Sequence, residues 1–362
     1  MSGNFLLRRN ILKNVTRRIP RIGVDAVLLN DEQNITYLTG FFCSGVKLLL
    51  LRNGKVLYFI DSMNRTLADE FVKNKQISII TVKGAFSKML ASEVKQRSLK
   101  CIGFDSAKFS VNEHKNLSKN LSRVKLVPQI GRMPISDIFS NLRMIKTKEE
   151  VLIIKEAARE TKRIWGIVDN NINVGMTEIE IAALVDTEVL KAGYKNSFPT
   201  IAAVGRNTAY PHAVPTDERL KKNGHAMIDF GIVFKGYCSD LTRIHCNGRI
   251  NRQIWSFLKT IEEIQNLAIR EIKPGVEIKS VVDRTYELFE AKKLSSYLLH
   301  SLGHGIGIGV HEAPSFSASN EGVFEAGMIL TVEPGLYKVG LGGVRKEDMV
   351  LVTSKGCEVL TR

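Results

Sequence analysis

Two aspartates lie in the segment 227–240, which has the pattern of two short apolar strands joined by a turn near Lys235. If the turn is centred on Phe234 and Lys235, Asp229 and Asp240 are directly opposed, with Cβ atoms about 5 Å apart. Two like charges at that distance repel, and a divalent cation between them removes the repulsion. The alternative is a pair of exposed loop carboxylates. Asp229 lies within an apolar run, so a metal site is favoured.

A glycine-rich stretch at 300–312 contains three of the chain's seven histidines, His300, His304 and His311, among four glycines. Glycine at this density lets the backbone approach a ligand closely. The alternative is a glycine-rich loop with incidental histidines. Three histidines within twelve positions favour a functional site.

Two glutamates complete the candidate set. Glu333 ends the apolar run 328–332, and a carboxylate at the end of a buried strand needs a partner to offset its desolvation. Strand periodicity in 343–352 places Arg345 and Glu347 on one face, where Arg345 can hold a carboxylate through two parallel hydrogen bonds. Taken singly, each glutamate is as typical of a surface charge as of a metal ligand.

Together, Asp229, Asp240, His304, Glu333 and Glu347 offer four carboxylates and one imidazole. This set favours manganese, cobalt or zinc over metals that prefer thiolates, with iron as a further candidate. Four negative charges exceed what one dication needs. Two metal ions about 3.5–4 Å apart, bridged by shared carboxylates, are the natural arrangement. The sequence therefore predicts a two-metal hydrolase.

The elements that must position these residues show signs of an internal duplication. A helix is predicted at about 148–172, followed by a second helix that ends at Leu190. Later, a helix at about 251–273 is followed by another that ends at Lys293. Gly175 and Gly275, 100 positions apart, each separate the two helices of a pair, and a strand-rich stretch follows each pair. The pattern indicates a duplicated helix–helix–sheet unit, in which a site can form between the halves.

The amino-terminal half contains no comparable constellation and has the pattern of an α/β domain. Strands are predicted at 26–29, 46–51, 56–60 and 77–82, and helices at 86–97 and 111–121. Asn53-Gly54 predicts a hairpin, and Thr147 predicts the cap of the long helix that opens the second half. We therefore expect one domain at 1–140 and another at 141–362.

Composition excludes several classes of protein. The 362 residues, of which 44% are hydrophobic and 25% charged, suffice for two globular domains. The amino terminus lacks the apolar run of a signal peptide, and no run of about 18 apolar residues predicts a membrane span. Five scattered cysteines without a CxxC pair fit a reducing compartment. We expect a cytoplasmic protein without a membrane partner.

The formal net charge of +15 raises the question of nucleic-acid binding. The densest basic run consists of Arg8, Arg9, Lys13, Arg17, Arg18 and Arg21. Its spacing is helical with apolar residues between, which favours a solvated helix face. Nucleic acid is therefore not an expected partner.

Five motifs follow one another in order along the second half: the stretch 210–216 around His212, the Asp229/Asp240 segment, 303–314, Glu333-Pro334-Gly335 and 342–348. Together they resemble the pita-bread metallopeptidases, specifically aminopeptidase P and prolidase, which act on peptides with proline in second position. The stretch 31–40 resembles the creatinase-like amino-terminal domain, and 142–150 the start of the catalytic domain. The resemblance implies an α/β amino-terminal domain followed by an α+β pita-bread catalytic domain.

The resemblance also implies roles for the metal ligands. Asp229 and Asp240 would bind metal, with Asp240 bridging. His304 and Glu333 would bind one metal, and Glu347 would bridge both.

Other residues would act on the substrate or on the ligands. His212 and His311 would flank the substrate and stabilise the oxyanion. His300 would lie outside the ligand set, and Arg345 would orient Asp240 or its neighbours.

The implied reaction is hydrolysis of the bond between an amino-terminal residue and a following proline, by a hydroxide activated between two metal ions. Glu333 would carry the proton to the proline nitrogen. The expected metal is manganese, with cobalt and zinc as alternatives, and the expected assembly is a homodimer. The main alternative is an Xaa-Pro dipeptidase (prolidase). A creatinase-type enzyme working without metal is disfavoured by the complete ligand set, as is a catalytically inactive binding protein on the same fold.

Overall fold

The structure is a computed structural model that describes residues 11, 12, 15, 23–130 and 133–362. The predicted basic helix face, from Arg8 to Arg21, lies outside the described residues. Contacts divide the chain into two compact units, Met1–Leu142 and Arg143–Arg362. Among the helices of the described residues, none combines the length and the apolar character that a bilayer crossing requires.

The first unit alternates strands and helices. Its elements are β1 (Ala26–Leu29), α1 (Glu32–Thr39), β2 (Lys47–Leu51), β3 (Val56–Ile60), α2 (Arg65–Phe71), β4 (Ile77–Thr81), α3 (Phe86–Gln96), β5 (Cys101–Phe104), α4 (Val111–Asn120), β6 (Lys125–Val127), β7 (Gln129–Ile130) and β8 (Met133–Pro134). Helix α5 (Ile135–Met144) follows. The predicted strands and helices of this half are confirmed to within about a residue at each end.

A mixed six-stranded sheet in the order β4-β3-β2-β1-β5-β6 organises this unit. Strand β1 pairs antiparallel with β2 and parallel with β5. The hairpin predicted at Asn53-Gly54 is confirmed: Leu51 N bonds to Lys55 O at 2.8 Å, and Gly54 adopts φ +86°. Apolar side chains of the sheet pack with those of α3 and α4 into one core.

The second unit contains four long helices and several small sheets. Its elements are α6 (Lys148–Asn171), α7 (Glu178–Lys191), β9 (Lys195–Asn196), β10 (Ile201–Val204), a 3-10 helix (Gly205–Ala209), β11 (His225–Phe230), β12 (Ile232–Phe234), β13 (Tyr237–Cys238), β14 (Leu241–Cys246), α8 (Arg252–Glu271), α9 (Ile278–Ala291), a 3-10 helix (Ser295–Tyr297), β15 (Gly303–Gly305), β16 (Glu312–Phe316), β17 (Ile329–Val332), β18 (Gly335–Lys338), β19 (Gly342–Arg345), β20 (Asp348–Val352) and β21 (Cys357–Val359).

The start of α6 follows from local sequence. The side chain of the predicted cap, Thr147, accepts a hydrogen bond from Glu150 N, and the Glu150 carboxylate accepts one from Thr147 N. The two bonds together form a complete capping box. The stretch ahead of the cap belongs to a separate helix. Helix α5 ends at Met144, and Ile145 instead forms a β-bridge with Met328.

The predicted duplication is confirmed in the backbone. Helices α7 and α9 begin 100 positions apart and have equal lengths of 14 residues. Gly175 and Gly275 precede them with φ of +91° and +84°, a left-handed conformation that suits glycine. Each donates a 2.8 Å hydrogen bond to a following segment, Gly175 N to Leu220 O and Gly275 N to Phe324 O. The predicted fold class, an α/β half followed by an α+β half with a duplicated helix–helix–sheet unit, is confirmed.

Candidate metal centre

The five predicted ligands lie on strands of both copies of the duplicated unit, or directly beside them. Asp229 is on β11, and Asp240 stands immediately before β14. His304 is on β15, Glu333 follows β17, and Glu347 lies between β19 and β20. Strand ends hold side chains on a rigid frame, which favours a preorganised site.

The predicted register of the aspartate hairpin is wrong. Asp229 pairs with Thr242, and the turn is centred on Lys235 and Gly236, with φ of +50° and +86°. Two-residue hairpin turns of this kind require positive φ at both positions and favour glycine at the second. Asp229 and Asp240 are therefore diagonal neighbours on one face rather than directly opposed.

Three candidate ligands form a tight group. Asp240, His304 and Glu347 each offer one nitrogen or oxygen atom, and these atoms lie within 4.8 Å of one another. His304 Nε2 is 3.7 Å from Asp240 Oδ2 and 3.4 Å from Glu333 Oε1, so Glu333 adjoins the same group. Asp229 also lies close to this group: the pKa of Asp240 is raised mainly by burial, and the charge of Asp229 adds to the shift.

Arg345 lies at the centre of the hydrogen-bond network. Its Nη2 donates to Asp229 Oδ2 at 2.5 Å, and its Nε donates to Thr242 Oγ1 at 3.0 Å. Its Nη1 donates to Tyr337 Oη at 3.0 Å and to Pro211 O at 3.2 Å. Arg345 is only 3% exposed, and its guanidinium holds Asp229, the neighbour of Asp240, rather than Asp240 itself.

Sequence reasoning missed two residues that orient these groups. Thr242 Oγ1 donates a 2.7 Å hydrogen bond to Glu347 Oε2, and Tyr337 Oη bonds to His300 Nε2 at 2.8 Å. Thr242 was accessible from the sequence, because strand periodicity places position 242 on the same face as Asp240. Tyr337 had no such signal, since its contacts with Arg345 and His300 depend on how separate segments meet.

The buried carboxylates of this group have raised pKa values. Burial raises the pKa of Asp240 and of Glu347 well above the usual carboxyl value, and repulsion among the neighbouring carboxylates adds to both shifts. Burial, together with the charge of Asp229, raises the pKa of Glu333 to about 7, despite the opposing charge of Arg345. Without a cation, these groups resist being charged together.

The residues fit a divalent metal. Asp229 Oδ1 and Asp240 Oδ1 are both buried, and among the described residues neither has a hydrogen-bond partner. A buried carboxylate oxygen without a donor is costly, and a bound cation supplies the missing interaction. The donor set, carboxylates with one imidazole, suits manganese, cobalt or zinc.

Three further histidines lie around this group. The rings of His304 and His311 contact each other edge to face, with centroids 4.2 Å apart. Burial, followed by the nearby charges, lowers the pKa of His300 and of His304 to about 4, so both imidazoles are neutral near pH 7. His212 is exposed and lies close enough to His300 to contribute to the shift in its pKa, behind burial and Arg345.

A buried ion network supports the loop that carries His311. Glu312 Oε1 accepts hydrogen bonds from Gly309 N at 2.9 Å and from Arg143 Nε at 3.0 Å. Its other oxygen lies 3.5 Å from Lys146 Nζ. A Cβ at Gly307 would meet Glu312 Oε2 at 2.4 Å, so a larger residue at this position would displace the carboxylate from its present place.

The chain matches known families over both halves. Residues 153–354 match metallopeptidase family M24, and residues 12–145 match the creatinase/prolidase N-terminal domain. An uncharacterized peptidase of Bacillus subtilis, YqhT, is 30% identical over 351 residues, which cover 97% of each chain.

Solved structures of similar chains have the same fold. A Xaa-Pro dipeptidase from Bacillus anthracis superposes with a TM-score of 0.89 at 28% identity, over 98% of both chains. An X-Pro aminopeptidase from Thermotoga maritima superposes with a TM-score of 0.85 at 31% identity, over 96% of this chain and 97% of the other. The chain therefore belongs to metallopeptidase family M24 and carries the creatinase/prolidase type of amino-terminal domain.

Proposed function

We propose that this enzyme is a metal-dependent Xaa-Pro aminopeptidase, which removes one residue from the amino terminus of peptides with proline in second position. The observation that carries the proposal is the group formed by Asp240, His304 and Glu347, with Glu333 and Asp229 adjoining it. Proteins of this fold with Xaa-Pro activity in their names resemble the chain over nearly its whole length.

The proposed ligands are Asp229, Asp240, His304, Glu333 and Glu347. When bound there, two divalent metal ions would offset the four carboxylates and supply Lewis-acid activation of water and of the scissile carbonyl. Arg345 keeps Asp229 in place and contributes the positive charge nearest to it. Thr242 keeps Glu347 in place through its 2.7 Å hydrogen bond.

The remaining residues act on the peptide. The proposed role of His311, which is exposed and in ring contact with His304, is to donate a hydrogen bond to the carbonyl oxygen as negative charge develops on it. His212 is the proposed second contact to the substrate. Glu333 is the proposed proton carrier to the proline nitrogen, because its side chain retains 15% exposure and its Oε1 is 3.4 Å from His304 Nε2.

The second candidate is a dipeptidase that cleaves only Xaa-Pro itself. The similarity to the Bacillus anthracis Xaa-Pro dipeptidase favours it. Both activities use the same ligands, and they differ in whether the site leaves room beyond the proline. The 31% identity to the Thermotoga maritima aminopeptidase supports the broader activity.

The experiment compares three peptides at equal concentration with manganese or cobalt present: Gly-Pro, Gly-Pro-Ala and Gly-Ala-Ala. Release of glycine from Gly-Pro-Ala, but not from Gly-Ala-Ala, is the result that the proposal requires. Cleavage of Gly-Pro alone establishes the dipeptidase. If neither proline peptide is cleaved by metal-loaded protein, the proline specificity is wrong.

Other features complete the proposal. Manganese is the proposed native metal, and a cytoplasmic homodimer is the proposed state. The five cysteines are free thiols, which supports a reducing compartment. We retain 1–140 and 141–362 as the proposed domain limits.

A further inference from the structure

One fully buried carboxylate lies apart from the candidate metal centre. Glu178 is the first residue of helix α7 and is 0% exposed. Removing a carboxylate from water costs several kcal/mol unless hydrogen bonds replace its hydration. The start of a helix favours negative charge, but that alone does not explain why the side chain is buried.

Four hydrogen bonds reach this carboxylate, all from the segment 204–216. Glu178 Oε1 accepts from Val204 N at 2.7 Å and from Asn207 Nδ2 at 3.0 Å. Its Oε2 accepts from Thr216 N at 2.9 Å and from Thr216 Oγ1 at 2.6 Å. The donors stand at the two ends of the segment, so one side chain closes the loop at its base.

The second copy of the duplicated unit shows that the fold itself does not need a carboxylate here. Position 278 corresponds to position 178 and is occupied by Ile278, buried in an apolar cluster. The backbone is matched, since Glu178 N bonds to Glu218 O at 3.0 Å and Ile278 N bonds to Gly322 O at 2.9 Å. The carboxylate at 178 is therefore explained by the segment 204–216, which supplies all four of its hydrogen bonds, and not by the helix pair that both copies share.

That loop brings His212 to the candidate site. Its 3-10 helix is joined to β19 by Thr208, whose Oγ1 accepts a 2.8 Å hydrogen bond from Gly343 N. Pro211 O, next to His212, accepts from Arg345 Nη1 at 3.2 Å. The site thus holds the middle of the loop, while Glu178 holds both of its ends.

We propose that Glu178 is a positioning residue, whose carboxylate sets the conformation of loop 204–216 and thereby the place of His212 against the substrate. The inference rests on the proposed function for its effect on catalysis. The structural part of the inference, that Glu178 holds both ends of the loop, depends only on the four hydrogen bonds.

Hydrogen exchange on the full-length, metal-free protein tests whether Glu178 sets the conformation of the loop. Glu178→Gln replaces an oxygen that accepts two hydrogen bonds with an amide that donates, so the amides of residues 205–215 are expected to exchange faster. Glu180→Gln is the matched control on the same helix, because Glu180 caps α7 through Thr177 and does not bond to the loop. Unchanged exchange of 205–215 in Glu178→Gln overturns the proposal.

A double-mutant cycle tests whether Glu178 acts on catalysis through His212. It uses whichever proline peptide the enzyme cleaves. Displacement of His212 is expected to lower kcat/KM by about tenfold or more in Glu178→Gln. In a His212→Ala background the same change is expected to cost less than about twofold, because its effect acts through the missing imidazole. A purely structural residue would lower the stability of both backgrounds and kcat/KM of both alike.

Equal losses of kcat/KM in the two backgrounds therefore overturn the proposal. If Glu178→Gln does not fold, Thr216→Val replaces it, since this change removes the 2.6 Å hydroxyl bond to Glu178, together with the weaker bond from Glu218 N to the same hydroxyl, and keeps the bond from Thr216 N. If the wild-type protein cleaves no proline peptide, the proposed function fails, and hydrogen exchange still decides whether Glu178 closes the loop.

Discussion

Arg345 Nη2 donates a 2.5 Å hydrogen bond to Asp229 Oδ2 and so ties β19 to β11. The other oxygen of this carboxylate, Oδ1, is buried and has no hydrogen-bond partner in the part of the chain that the structure describes. Arg345 therefore fixes one oxygen and leaves the second to face the carboxylates around it. A guanidinium suits this task because its donors are held in a rigid plane and serve several acceptors at once.

Arg345→Lys is expected to weaken metal binding by roughly 10–100-fold, the usual effect of losing a group that orients a ligand. A lysine ammonium cannot reach Asp229, Thr242 and Tyr337 together. The measurement is a competition titration of manganese against a chelating dye. Arg270→Lys, at an exposed position on α8, is the control and should bind metal as the wild type does. Equal affinities in the two variants would show that Arg345 does not orient the ligand set.

Glu347→Gln is expected to affect the stability of the metal-free protein and that of the metal-loaded protein differently. Burial and the charges of Glu333 and Asp229 raise the pKa of Glu347, so removing its charge relieves repulsion when metal is absent. We expect the melting temperature of the metal-free variant to equal or exceed that of the wild type.

The same variant should lose most of the increase in melting temperature that manganese produces, because a ligand is missing. Glu325→Gln, an exposed substitution, should leave both melting temperatures unchanged. A Glu347→Gln protein that gains as much from manganese as the wild type would remove Glu347 from the ligand set.

Much of this arrangement could be predicted from the sequence, because the signals are local. The cap at Thr147, the hairpin at Asn53-Gly54 and the paired glycines 175 and 275 each depend on a few adjacent residues. The hairpin register could not be fixed in this way. It depends on a lysine adopting positive φ at position 235, which residue preferences disfavour.

Apart from those of Thr242, the orienting contacts could not be predicted from the sequence either. Tyr337, Thr208 and Glu178 act on segments distant in sequence, and a buried glutamate at a helix start has the same local pattern as an exposed one. Only the packing of the strands brings these side chains to their partners. The residues with unusual chemistry were therefore easier to find than the residues that hold them in place.

Thr242→Val is expected to destabilise the protein by about 1–3 kcal/mol, the cost of leaving buried polar groups without a partner. The change keeps the shape of the side chain but deprives Glu347 Oε2 of a donor and Arg345 Nε of an acceptor. Urea unfolding measures the difference. Thr260→Val is the control, since the Thr260 hydroxyl donates to the carbonyl of Ser256 one helical turn earlier on the same helix. Equal, small losses would show that the Thr242 hydroxyl contributes nothing specific.

The stability of the metal-free protein should depend on pH through Glu333. Burial raises the pKa of this group from 4.5 to about 7, so its contribution to stability is fully present below pH 4.5 and is lost as the pH rises to about 7. His300 and His304, whose pKa values are lowered by burial to about 4, oppose this trend below pH 6.5.

Comparison with Glu333→Gln isolates the effect. The stability of the variant relative to the wild type is expected to rise between pH 4.5 and 7, by roughly 2–3 kcal/mol in total. Unfolding free energies of both metal-free proteins across this range provide the measurement. A difference that does not change with pH would show that the Glu333 carboxyl keeps its ordinary pKa.

The most direct test of the central claim counts bound metal and activity in the same sample. Metal-free protein is dialysed against increasing manganese, bound metal per chain is measured by atomic emission, and glycine release from Gly-Pro-Ala is followed in parallel, with Asp240→Asn beside the wild type. The proposed ligand set predicts two ions per wild-type chain, activity that rises with their binding, and loss of both in the variant. Glycine release that persists without metal, or an Asp240→Asn protein that binds two ions and cleaves at the wild-type rate, would contradict it.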